Sequence, residues 1–263
     1  AYKMMARFSI LGELIYSLSN LESEGIFVTT KYEDNYPQRL RSVLKKRAPL
    51  FLYYVGDLSI MHDMASIVGP QSTAEKRLNS FTKNLVTKLI DENKVLVSSG
   101  TKGIDSYALR YHLQLGGHAV CFVSDHLFDK RKNYSKYIKD GKLVLVSAVD
   151  PYAFFNVTNA LDRNIYVCGL SEYQFITATH INSGGVWFTT IQNLHYHWTK
   201  QLVLDDPRYN GNLRLLEMGA TKVTYDDILS LLTIEQIVEK NEQVEEAEEI
   251  LIDQMSIFEF IDD

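Results

Sequence analysis

From about residue 64 onward, short apolar runs alternate with longer stretches of helical spacing. Ala65 to Val68, Lys94 to Val97, Ala119 to Val123, Leu143 to Val146, Phe175 to Thr177 and Gln201 to Leu204 read as strands. Between them Leu78, Phe81, Leu85 and Leu89 recur on one helical face, and Ala108, Leu109 and Leu113 on another. Gly116-Gly117 stops the second of these helices, and a further helical stretch follows Gly184. Ser72-Thr73-Ala74-Glu75 predicts a capping box for the first helix, and Asp105 a cap for the second. The runs are apolar throughout instead of alternating with polar residues, as strands covered on both faces are. The pattern therefore predicts an α/β, Rossmann-like, mostly parallel sheet with helices on both faces, which binds ligands beyond the C-terminal strand ends.

The flanks differ. Residues 1–60 read as a small helical N-terminal lead-in ending in one strand: Leu11, Leu14, Ile15 and Leu18 at helical spacing, a break at Tyr36-Pro37, a turn carrying Leu40, Val43 and Leu44, then Leu50 to Val55. Residues 61–221 form the Rossmann-like domain. Residues 222–263 form an acidic helical C-terminal tail, with Asp226-Asp227 before one short helix and a Thr233/Gln236 capping box before the next.

Charge follows the same division. Residues 222–263 hold 2 basic and 13 acidic side chains, the rest of the chain 25 and 20. A mildly basic body with an acidic tail suits contact with phosphate, although an excess this small is also ordinary for a globular domain. Cys121 and Cys168 are the only cysteines. Both fall in apolar surroundings, which predicts buried thiols in a cytoplasmic protein without a disulfide framework. No apolar run approaches membrane-spanning length.

Four small-residue loops fall at predicted strand ends: Gly69-Pro70-Gln71-Ser72, Ser98 to Asp105, Asn182 to Gly185 and Asn210 to Asn212. Each alone reads as a tight turn. Together they predict an anion-binding cleft of backbone N–H groups, with Lys102 adding a cation. There is no Walker A sequence and no clean G-x-G-x-x-G. His195 and His197 have no metal-site partners at suitable spacing, and no cofactor or metal is expected. His180 sits beside the third loop, where it contacts a ligand or, as is commoner for such a histidine, caps a helix or meets solvent. Asp105 and Asp162 read as helix caps instead of acid–base groups, and no serine or cysteine has a nucleophile-elbow context.

In order, the motifs Tyr36-Pro37, Pro49 to Tyr53, Gly56-Asp57, Ile67 to Gln71, Ser98 to Asp105, Arg163 to Ser171, Asn182 to Gly185 and Asn210 to Ala220 resemble the DNA-processing protein A (DprA/Smf) family over about Asn35 to Ile228. The resemblance implies a nonenzymatic protein that binds single-stranded DNA in a cleft, forms homodimers and loads a RecA-like recombinase. It places Gly69, Gln71, Ser72, Ser98, Gly100, Lys102, Gly103, Arg163, Asn164, Ser183, Gly184 and Asn212 at the DNA. The chain departs from the family pattern where Gln71 replaces an arginine, Leu109 a histidine and Ile165 a second arginine. Lys130, Arg131 and Lys132, in the loop after the third strand, are candidate replacements for the missing cations, or simply a solvated charge run.

Gln254-Met255-Ser256-Ile257-Phe258 resembles the bacterial sliding-clamp-binding peptide, in which apolar anchors fill pockets and the glutamine amide gives specificity. The alternative is the end of an amphipathic helix packed on the core. The fold is also shared with nucleotide-processing enzymes of the lysine-decarboxylase-like group. A nucleotide-binding sensor or nucleotide-processing enzyme, as in a defence system, is thus the competing reading, though Ser183-Gly184-Gly185 lacks that group's Thr-x-x-Glu continuation.

Overall fold

A computed structural model of the chain describes residues 2–243. The first part runs α1 (Tyr2–Ser23), β1 (Phe27–Thr30), α2 (Gln38–Leu44) and β2 (Phe51–Val55). Next come β3 (Met64–Val68), α3 (Lys76–Asp91), β4 (Val95–Ser98), α4 (Ile104–Gln114), β5 (Ala119–Val123), α5 (Leu127–Asn133), α6 (Ser135–Lys139) and β6 (Leu143–Ser147). The last part is α7 (Val157–Leu170), β7 (Tyr173–Ile176), α8 (Gly184–Tyr196), β8 (Lys200–Leu204), α9 (Asn210–Glu217), β9 (Thr221–Val223) and α10 (Tyr225–Leu229), then α11 over 234–243.

The nine strands among the described residues form one sheet in the order β1-β2-β6-β5-β4-β3-β7-β8-β9. β3 to β9 are parallel, while β1 and β2 close one edge antiparallel. The chain moves outward from β3 through β4 and β5 to β6. It then returns through α7 to lay β7 on the other side of β3. That reversal opens a crevice between the C-terminal ends of β3 and β7, because the helices after neighbouring strands leave on opposite faces.

Both faces are covered. Leu78, Phe81, Leu85 and Leu89 of α3, with Leu109 and Leu113 of α4, pack on one face. Leu40 and Leu44 of α2 and Val167 and Leu170 of α7 pack on the other. Each such side chain taken out of water contributes about 1.5–3 kcal/mol. Ile234 and Ile237 of α11 join the first core, so the start of the acidic tail is part of the globule. The Thr233/Gln236 capping box forms, at 2.9 and 3.2 Å.

Several local expectations are corrected. β1 and β9 are strands that the apolar pattern did not predict. α3 begins at Lys76, not after Ser72. Ser72 instead accepts from the Ala74 N–H at 3.2 Å, and the Pro70 carbonyl is held by the Ile104 N–H at 3.1 Å, which keeps this segment extended. Gly103, not Asp105, occupies the N-cap of α4. Asp162 lies inside α7, whose cap is Asn156. Asp226 and Asp227 lie within α10, and Thr224 caps it. Lys130, Arg131 and Lys132 are helical, in α5. Asn210 to Asn212 open α9 and are not a free loop.

Candidate functional site

A cleft of about 790 Å³ lies at the crevice. That size suits a nucleotide-scale ligand. Three of the four small-residue loops meet there. Gly69 and Gln71 follow β3, Gly100 and Lys102 follow β4, and Ser183 and Gly184 lead into α8.

The loop after β4 is fixed from below. Gly100 has φ +64°, and a Cβ there would meet the Cys121 sulfur at 2.8 Å. Gly103 has φ +105°, and a Cβ on it would lie 2.2 Å from the Pro70 carbonyl oxygen. Only glycine lets the two loops close on each other. Burial pushes the Cys121 thiol up to about 12, so it is no thiolate nucleophile.

Asp105 braces the floor. Its buried carboxylate accepts from Ser99 Oγ and from the Gly69 N–H. Burial raises its pKa, opposed by these hydrogen bonds and by Arg163. Arg163 comes in from α7, donating to the Ser99 carbonyl at 2.8 Å and to Asn164 Oδ1 at 3.0 Å. Burial lowers the Arg163 pKa and the Asp105 charge opposes that shift.

The charge around the cleft is balanced. Lys102, Lys130 and Arg163 face Glu75, Asp105 and Asp125. Lys130 is ion-paired with Asp125. Lys102 is exposed and makes no ion pair among the described residues. It is the cation available to a ligand, helped by loop N–H groups and the N-terminus of α8. The opposite wall is apolar: Phe155, Val157 and Leu161 line it and are 63%, 64% and 41% exposed. A polar floor beside an apolar wall that carries one exposed aromatic ring fits a ligand with anionic and flat apolar parts.

Gly69, Gln71, Gly100, Lys102, Arg163, Asn164, Ser183 and Gly184 all line the cleft. Ser72 is exposed on the segment before α3, outside the lining. Ser98 is buried and bonded to the Asp105 backbone carbonyl at 3.1 Å. Gly103 packs against Pro70, and Asn212 is fully buried. Asn212 accepts from the Thr179 N–H and donates to the Leu204 and Thr177 carbonyls, joining the ends of β7 and β8 behind the cleft. Sequence reasoning missed Phe155, Asp125 and Tyr209 at the rim. The adjacent Phe154-Phe155 before a helix was the readable signal for the first. His180 does line the cleft, with Nδ1 3.1 Å from Asn210 Oδ1. Among the described residues no cluster of His, Cys, Asp or Glu could hold a metal, and no helix is long and apolar enough to cross a membrane. The Gln254 to Phe258 peptide lies outside the described residues.

The profile of the DNA recombination-mediator protein A family matches residues 27–233. The chain belongs to this family. Among solved structures it is similar to DNA processing protein A (DprA) from Streptococcus pneumoniae, with a TM-score of 0.69 and 22% identity over 82% of this chain and 78% of that one. It is also similar to DNA processing protein A from Helicobacter pylori, described for its single-stranded DNA binding mode, with a TM-score of 0.63 and 23% identity over 77% of this chain and 92% of that one. A search among curated proteins returns no match. The family match spans β1 to the start of α11, so the cleft and every loop that lines it fall inside the DNA recombination-mediator protein A region.

Proposed function

We propose that the cleft binds single-stranded DNA without chemical turnover, in DNA recombination or processing. The observation that carries this reading is the pairing of Lys102 and glycine-rich loop amides with the apolar wall of Phe155, Val157 and Leu161. The cation and amides neutralise phosphate, and the wall accepts unstacked bases without regard to sequence. The Helicobacter pylori relative, described as binding single-stranded DNA, supports it. The Cys121 thiol is buried and protonated, and Asp105 is engaged in internal hydrogen bonds, so neither is set up for catalysis.

Loading of a RecA-like recombinase, homodimer formation and recruitment by a sliding clamp belong to the same proposal. Tethering to a clamp raises local concentration and compensates for a cleft poor in free cations. Deletion of Gln254 to Phe258 then abolishes clamp pull-down and leaves thermal stability unchanged; a large stability loss would assign the peptide to core packing.

The test of the cleft is a fluorescence-anisotropy titration of the full chain with a labelled single-stranded oligonucleotide, competed by a panel of mononucleotides. Oligonucleotide binding that mononucleotides displace poorly supports the proposal. Tight mononucleotide binding with none to the oligonucleotide would transfer the cleft to a nucleotide sensor.

A further inference from the structure

The cleft does not end the basic surface. α3, α4 and the α5–α6 pair cover the same face of the sheet, with Leu85, Leu109 and Leu127 in one core. From the Lys102 loop, the outer side of α4 continues through Ser106 to exposed Arg110, whose Nε donates to the Ser106 carbonyl at 3.2 Å. Tyr134, at the α5–α6 junction, bridges the two regions. Its hydroxyl lies 3.9 Å from the Cβ position of Gly100, and burial pushes its pKa up to about 12, with the Arg110 charge opposing. Beyond it α6 presents Lys136 and Lys139, both exposed. On the α3 side, exposed Lys83 sits 5.5 Å from the centre of the Tyr111 ring.

Two features separate this surface from an ordinary solvated charge run. Lys83, Lys102, Arg110, Lys136 and Lys139 make no ion pair among the described residues, although Lys130, Arg131 and Lys132 of α5 do. Tyrosines are interleaved with them: Tyr111, Tyr134 and Tyr137 are half-buried beside the charges. Unpaired cations spaced among aromatic rings suit a flexible polyanion with stackable bases better than an acidic peptide, which gains nothing from the rings.

We infer that single-stranded nucleic acid leaving the cleft past Lys102 runs along the outer side of α4 and α6, held by Arg110, Lys136 and Lys139. This rests on the cleft binding single-stranded DNA. It gives the protein a footprint longer than the cleft alone and makes affinity depend on strand length.

The test compares fluorescent oligothymidylates of about 6 and about 25 nucleotides, binding to the unmodified full chain and to Arg110→Glu/Lys136→Glu. The expected result is a variant that binds the short strand as the unmodified chain does but binds the long strand about tenfold more weakly. Its log–log salt slope for the long strand falls by roughly 1.4, since each phosphate contact to a single strand contributes about 0.7. Because both side chains are exposed, thermal unfolding checks that the fold is intact, and Lys136→Ser/Lys139→Ser provides a milder second variant expected to show the same length-selective loss. Unchanged long-strand binding in both variants, or equal losses for both lengths, overturns the track and leaves the cleft standing. Failure of the unmodified chain to bind either strand overturns the cleft reading, and the track with it.

Discussion

Arg163 Nη1 donates to the Ser99 carbonyl oxygen at 2.8 Å, tying α7 to the loop after β4 beneath the cleft floor. Burial raises the Asp105 pKa, and its hydrogen bond from Ser99 and the charge of the same guanidinium oppose that rise. A family-matched cation at the proposed DNA site is thus largely spent on holding the site together.

Arg163→Ala therefore damages the fold more directly than the ligand contact. Removing it takes the donor away from the buried Ser99 carbonyl, a loss that costs about 1–3 kcal/mol. Denaturant unfolding monitored by circular dichroism is expected to show a loss of this size. An unfolding midpoint like that of the parent, with DNA binding lost, would make Arg163 a ligand contact instead.

Gln71 lines the cleft where the family pattern has an arginine. Gln71→Arg adds a cation to a cleft in which Lys102 is exposed and without an ion pair among the described residues. Anisotropy is expected to show tighter oligonucleotide binding and a salt slope steeper by about 0.7. Unchanged affinity would mean that the strand does not pass the β3 loop.

His112 predicts a pH dependence. It is fully buried, its Nε2 lies 3.0 Å from the His118 carbonyl, and burial lowers its pKa to about 4. The unfolded chain takes up this proton near pH 6.5, the folded chain only near pH 4. Between those values the unfolded state binds more protons, so stability falls as pH drops from about 6.5 towards 4, by up to roughly 3 kcal/mol. His112→Gln should flatten this part of the stability–pH curve in chemical denaturation. An unaltered slope in the variant would assign the acid sensitivity elsewhere.

The central strands were legible because burial on both faces writes an uninterrupted apolar run, as in Ala119–Val123, where the expected and observed strands coincide. β1 and β9 were not, since edge strands of 4 and 3 residues are too short for a period and include solvent-facing positions, as Lys222 illustrates. The glycines of the cleft were legible because each loop needs a backbone that other residues resist. The roles of Asn212 and Ser98 were not, because a polar side chain reads alike in sequence whether it meets ligand or carbonyl. The pairing of Lys130 with Asp125 also escaped. Five residues apart, across the start of a short helix, they carry no periodic signature.

Lys102 offers the most direct test. Single-stranded oligonucleotide binding is measured across a salt series for the unmodified chain and for Lys102→Ala. The account predicts weaker binding at every salt concentration, a log–log slope reduced by about 0.7, and a thermal stability unchanged within about 0.5 kcal/mol because the side chain is exposed. Affinity and slope identical in the two proteins would contradict it.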